Sequence, residues 1–290
     1  MDRLTALDRV LQQAHVVRVS SVIESEAVAE TRVDLSDPAE SARLRTAMAV
    51  ESLGFQCMCL GDVRFEVFDR SGGRIAVVVL HHGVTLRWEQ WENDAVLTDG
   101  RLLVVWLDRH GMPGPLQQFE ADRLRAEEGA AEERNWLAAM PAGLEGTADR
   151  ILALSRTGRM PSPELLTELT DRLQLTLPDP VERALALLDW YGSGSGRCSE
   201  YPLHEQVPGE LLGTVPITDL LAALTDPRAE ERHDAGAVRH LVGWRTRPHQ
   251  KQDIAGLPEP LRARLLAHAR RSGDSDKQGR AEQWLAPPRA

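Results

Sequence analysis

The spacing of apolar residues in this chain changes once, near residue 111, and that change restricts the fold more than any single motif. Before it, VRFEVFD (63–69) and RIAVVVL (74–80) are short β-branched and aromatic runs bounded by Gly and Asp, as strands are. After it, apolar residues recur three and four apart, with Gly and Pro between the periods and no convincing strand. This pattern predicts two domains: an α/β module over residues 1–112 and an all-helical domain over 116–290. GMPGPLQQ (111–118) is the linker between them. At 290 residues the chain is long enough for each domain to bury its own core.

Within the first domain, Leu4, Leu7, Val10 and Leu11 form a helical stripe ending near His15. VVRVSSV then reads as a strand, with a second extended stretch over 27–35. Ser36-Asp37-Pro38 is a helix start, a capping side chain followed by a proline whose missing N–H does no harm. That helix is expected to run to Leu53, with Gly54 as its stop. FQCMCL (55–60), VRFEVFD, RIAVVVLHHG and VTLRWEQW follow as strands, the glycines of 70–73 making a hairpin turn. Thr98 caps a last helix that Gly111 ends. The expected fold is α+β, a small, mostly antiparallel sheet with helices on one face.

The helical half carries a repeat. LPDPVERALALLDW and LTDPRAEERHDAGAVRHLVGW each place Asp-Pro at an expected helix start, and Asp179-Pro180 lies 47 residues before Asp226-Pro227. LPEPLRARLLAHARR, from Leu257, reads as a shorter third copy. The pattern resembles the HEAT-like repeat family over about residues 145–286, with two recognisable copies. The resemblance implies an α-helical solenoid of stacked helix pairs whose commonest use is binding another protein.

Composition narrows the partners. The formal net charge is −10, and it is shared evenly: 17 acids against 12 bases in residues 1–115, then 27 against 22. Neither half shows the clustered basic residues that neutralise phosphates, so nucleic acid is not an expected partner. No apolar run reaches the ~20 residues that span a bilayer, and the N-terminus lacks an apolar signal core. A cytoplasmic protein with no membrane partner is expected. Lys251 and Lys277 are the only lysines, Arg taking every other basic position, a skew read as bacterial coding bias.

Three clusters carry chemistry. Cys57 and Cys59 are two apart, so on a strand their thiols share a face. His81 or His82 from a paired strand could join them in a zinc site, but neighbouring strand residues point oppositely, so only one of the two is expected to meet the sulfurs. His110, His204 or Cys198 would then supply the fourth of the ligands tetrahedral zinc wants. The plainer reading makes the cysteines small buried hydrophobes and leaves the protein without a cofactor. HHGVTLRWEQWEND gathers Arg87, Trp88 and Trp91 into one strand and its exit, residue types enriched at binding hot spots. Its plainer reading puts Trp88 in the core and pairs Arg87 with Glu66. Finally, YGSGSGRCSEY (191–201) is a Gly/Ser-rich loop in the helical half, and it makes Arg197, Tyr201 and His204 candidates for partner contact. It lacks the Gly-Lys-Ser/Thr ending of a phosphate-binding loop.

No catalytic signature is present. The expectation is a non-enzymatic interaction or scaffold protein, the alternative a metal-binding, redox or ligand-sensing protein with its site in the first domain.

Overall fold

The computed structural model describes residues 4–22, 30–199, 201–244 and 247–286. The chain forms two compact units, Met1–Ala126 and Glu127–Ala290.

The first unit is a seven-stranded sheet with three short helices. In chain order its elements are α1 (Thr5–Leu11), β1 (Val16–Ser21), β2 (Glu30–Asp34), α2 (Pro38–Ala47), β3 (Val50–Leu53), β4 (Val63–Phe68), β5 (Arg74–His81), β6 (Thr85–Trp88), β7 (Ala95–Leu97) and α3 (Gly100–Arg109). The strands lie in the order β2-β1-β4-β5-β6-β7-β3, every neighbouring pair antiparallel. Alternation decides the faces. Val17, Val19, Val63, Phe65, Val67, Val78 and Leu80 point inward and form one core with Leu7 and Leu11 of α1, Leu44 of α2, and Leu103, Val104 and Leu107 of α3. The other face is mixed: beside the half-buried Ile75, Val77 and Val79 of β5, Glu66 accepts from Arg18 Nε at 2.8 Å and from Arg74 Nη1 at 2.9 Å across β1, β4 and β5.

Three expectations for this unit need correction. The helix capped by Asp37, whose carboxylate accepts the Ala39 amide at 2.9 Å, ends at Ala47 and not at Leu53. Val50–Leu53 instead pairs with β7. That strand, only three residues long, is too short to show alternation. Its free edge offers backbone partners that a continued helix would have left unused. FQCMCL is likewise not a strand. Residues 54–62 are a loop, because the chain must leave β3 at one edge of the sheet and re-enter at β4, four strand spacings or about 19 Å away. The loop crosses the end of the sheet where β5 finishes. Finally, Asp99 rather than Thr98 caps α3, its side chain accepting from the Arg101 amide at 3.0 Å.

The expected linker 111–118 is mostly helix. After Gly111, at φ +83°, and Pro113, α4 (Gly114–Ala138) runs from one unit into the other. Leu116 and Phe119 pack on the first core, while Trp136 belongs to the second.

The second unit contains no strand among its described residues. Its helices are α5 (Ala148–Thr157), α6 (Pro163–Thr176), α7 (Pro180–Gly192), α8 (Gln206–Leu212), α9 (Ile217–Thr225), α10 (Glu231–Val242), α11 (Gln250–Ala255), α12 (Glu259–Arg271) and α13 (Ser275–Leu285). α7 packs on α8, α9 and α10, and α10 packs on α12 and α13. The α7–α10 approach is close enough to require glycine. A Cβ on Gly236 would lie 2.1 Å from the Leu188 carbonyl oxygen, and one on Gly192 would lie 2.0 Å from that of Arg232. Asp179 caps α7 as expected, accepting the Val181 amide at 2.8 Å. Asp226-Pro227, by contrast, starts no helix. Asp226 accepts from the Arg228 amide at 2.8 Å and from its Nε at 2.9 Å in a turn, and α10 begins later, where Glu230 and His233 cap each other. Among the described residues no single helix is long and apolar enough to cross a membrane.

Candidate functional site

Where the 54–62 loop crosses the end of β5, it brings four soft donors together. The sulfurs of Cys57 and Cys59 lie 3.0 Å apart. His81 Nδ1 is 3.0 Å from the Cys59 sulfur. His82 Nε2 is 3.5 Å from that of Cys57 and 3.3 Å from that of Cys59. Cys57, Cys59 and His81 have their ligating atoms mutually within 4.8 Å, a cluster able to hold a metal ion. Both histidines meet the sulfurs, contrary to the strand-parity expectation. The reason is local: β5 ends at His81, and His82 adopts a left-handed backbone (φ +53°) that turns its ring back toward the loop. The thiols do not owe their proximity to strand parity either, since they sit on an irregular loop.

Several contacts hold this loop in place. Asp94, buried in the turn before β7, takes Arg87 in a two-pronged ion pair, Nε–Oδ1 at 2.8 Å and Nη2–Oδ2 at 2.9 Å. The same Asp94 accepts the Cys57 amide at 2.9 Å, and its carbonyl accepts the Gly54 amide at 2.8 Å. Arg87 also donates to the carbonyl oxygens of Cys59, at 3.2 Å, and of Cys57. One arginine and one aspartate thus tie the backbone on both sides of Met58. At the far end the Asp62 carboxylate accepts the His82 amide, and Gly61 lies flat against β5 at φ +90°, where a Cβ would come 2.3 Å from Val79 Cγ1. The loop's other side chains point away: Phe55, Met58 and Leu60 are exposed.

The electrostatics separate the donors. Hydrogen bonds from the Cys59 thiol and amide, then from His82, pull the Cys57 thiol down to about 7. The neighbouring Cys57 sulfur and burial push the Cys59 thiol up. Burial, then the Arg87 charge, hold His81 below its usual value, so its ring is neutral, the form that binds metal. The bond to Cys57 raises His82. In metal-free protein, iodoacetamide should therefore alkylate Cys57 first, at a rate that climbs most steeply around pH 7. Cys198, pushed up to about 11 by burial, should react last. Peptide mass spectrometry over a pH series checks the order, and Cys59 reacting ahead of Cys57 would refute it.

The remaining sequence candidates fall elsewhere. Trp88 and Trp91 are core residues packed edge to face at 5.4 Å, not surface anchors. Arg87 pairs with Asp94 and not with Glu66, which Arg18 and Arg74 already engage. His110 lies 3.0 Å from Glu40 against Trp106, away from the thiols. In the second unit Arg197 and Tyr201 are exposed, but His204 is buried, its Nδ1 2.9 Å from Ser155 Oγ and its ring edge-on to Trp136. The Gly/Ser loop turns inward through Ser195, whose amide and hydroxyl each donate to the buried Glu205 at 2.8 Å. Sequence reasoning passed over Asp94 and Glu205. The one available signal for Asp94 was an acid seven residues from Arg87 across a tight turn.

No family model matches the chain, and the searches of curated proteins and of solved structures likewise return no match.

Proposed function

We propose that this protein binds zinc, or a divalent ion of similar softness, through Cys57, Cys59, His81 and His82. One observation carries the reading: four thiol and imidazole donors from two separate chain segments converge at the end of β5. Zinc takes sulfur at ~2.3 Å and nitrogen at ~2.0–2.1 Å in tetrahedral array, which sets sulfur-to-nitrogen edges near 3.5 Å. The His82 contacts match that edge, and the sulfur–sulfur and His81 contacts lie within about an ångström of what a tetrahedral ion needs. The depressed thiol of Cys57 and the neutral ring of His81 are the protonation states that a metal selects. Cys57, Cys59 and His81 form the tight part of the set and the exposed His82 is its fourth donor; with all four bound the tetrahedral sphere is full, which suits a structural or sensory role. Zinc would join the loop to the end of β5 and hold outward the apolar side chains Phe55, Met58 and Leu60.

Protein purified without a histidine tag should carry one zinc per chain by elemental analysis, and Cys59→Ser should carry less than about a tenth of that, the loss of one of four ligands costing orders of magnitude in affinity. A wild-type protein free of metal, with both thiols reduced and titratable, would refute the proposal.

A second reading concerns the helical unit, as a HEAT-like interaction scaffold for another protein. It draws support from the packing of the later helices, where α7 rests on α9 and α10, and α10 in turn on α12 and α13.

A further inference from the structure

Cys57 and Cys59 are held together by protein contacts that involve no metal. Arg87 donates to the carbonyl oxygens of both cysteines, and Asp94, paired with Arg87, accepts the Cys57 amide. Only Met58 separates the two, and its side chain is 96% exposed, so it puts nothing between the sulfurs. The sulfurs lie 3.0 Å apart, closer than the ~3.8 Å edge that ~2.3 Å zinc–sulfur bonds set in a tetrahedron. A disulfide bond, at ~2.05 Å, needs about an ångström more. Both cysteines are free and half-buried, within reach of a small reagent.

The histidine side of the site is less firmly built. A metal-bound imidazole ordinarily anchors its second nitrogen on a carboxylate or carbonyl, a partner worth ~10–100-fold in affinity. His81 Nε2 is buried, and among the described residues it has no hydrogen-bond partner. His82 is exposed. A preorganised dithiol is thus joined to one imidazole without that support and one open to solvent. A metal that loses its sulfurs has little left to hold it.

Resting on the zinc proposal above, we propose that Cys57 and Cys59 form a peroxide-responsive dithiol whose oxidation to a disulfide expels the metal. One thiolate attacks a peroxide oxygen, the O–O bond breaks, and hydroxide leaves with the bonding pair, giving a sulfenic acid. The neighbouring thiolate attacks that sulfur, the S–O bond breaks, and a second hydroxide leaves. The two sulfurs give up two electrons, peroxide takes them, and zinc departs unchanged as the divalent ion. Proximity favours this ending over sulfinic acid, because the second sulfur is already beside the first. A small uncharged oxidant suits the place. Asp62, whose carboxylate accepts the His82 amide, and the chain's net charge of −10 work against the anionic glutathione disulfide.

The test is zinc release from the zinc-loaded full chain on addition of hydrogen peroxide, followed with a chromophoric chelator, with the peptides then mapped by mass spectrometry. About one zinc should leave per peroxide consumed, and the peptide carrying both cysteines should hold an internal disulfide that resists alkylation. Dithiothreitol should restore zinc binding. Cys198→Ala, in the other unit, should release zinc as wild type does. Metal-free Cys59→Ser, with no second thiol at hand, should instead keep a sulfenic acid on Cys57 that dimedone labels. Oxidised glutathione at equal concentration should act at least about tenfold more slowly than peroxide. The zinc content before peroxide is added reports on the metal site itself, so a protein that starts without zinc fails the zinc proposal and takes this one with it. A protein that starts with zinc overturns this inference alone if it keeps the metal through peroxide, if the cysteines go to sulfinic acid or pair between chains, or if oxidised glutathione acts faster than peroxide.

Discussion

Gly236→Ala should destabilise the helical unit by about 3 kcal/mol or more, although alanine is the better helix former by ~1 kcal/mol. The sign follows from what the new methyl group meets. Its nearest neighbours would be the carbonyl oxygen, carbonyl carbon and Cα of Leu188, at 2.1, 2.9 and 3.1 Å, all backbone atoms. No rotamer can relieve that overlap, so α7 and α10 must move apart. Their separation would loosen Ala184, Leu188, Ala237 and Val238, all fully buried at that seam. Gly129→Ala supplies the control. It lies within α4 with nothing inside 4 Å of the added carbon, and it should gain about 0.5–1 kcal/mol. Urea unfolding of the two variants should thus give opposite signs. Equal, small effects would mean that the two helices do not touch through their backbones.

Asp94→Ala should cost about 3 kcal/mol in the sheet unit and weaken metal binding by ~10–100-fold without removing a ligand. The carboxylate satisfies Arg87 and the Cys57 amide together, so its loss leaves a half-buried guanidinium unpaired and releases the loop that presents both thiols. The effect also has a pH signature. Burial alone would raise the Asp94 carboxyl, but Arg87 and the Cys57 amide outweigh it and hold the group below its usual range. A carboxyl depressed in the folded state contributes its stability in full above the unfolded value of ~3.9 and loses it as pH falls through the folded value. The stability gap between wild type and Asp94→Ala should therefore be constant near neutrality and narrow only below about pH 4. A gap that instead narrowed between pH 6 and 8 would assign the coupling to the histidines and thiols.

These two positions also mark how far residues alone carry the interpretation. The β4–β5 hairpin, the capped starts of α2 and α7 and the amphipathic α3 were legible because a period of two or 3.6, a turn glycine or a capping aspartate marks each within a few residues. The exchange of helix for strand at Val50–Leu53 was not. A four-residue edge strand has no period of its own and forms only because β7 offers it a partner, which is a tertiary fact. The loop of residues 54–62 is hidden for a related reason: FQCMCL has strand composition, but its path is dictated by where β3 and β4 sit in the sheet order. All four donors stand out in the sequence, yet strand parity allows only one of the two histidines to meet the sulfurs. The positive φ of His82 removes that bar, and nothing in the His-His-Gly triplet announces which residue will take it. In the helical half the Asp-Pro repeat was visible, but one of its two copies caps a helix and the other makes a turn held by Arg228. The Arg239–Glu205 pair, 34 residues apart on separate helical segments, had no local signature at all.

X-ray absorption at the zinc edge, on protein loaded with one equivalent of zinc and dialysed, tests the central claim most directly. The expected first shell is two sulfurs at ~2.3 Å and two nitrogens at ~2.0–2.1 Å, while dialysed Cys59→Ser should retain less than about a tenth of the zinc. A shell of light atoms only, or zinc that washes out of the wild-type protein, would contradict it.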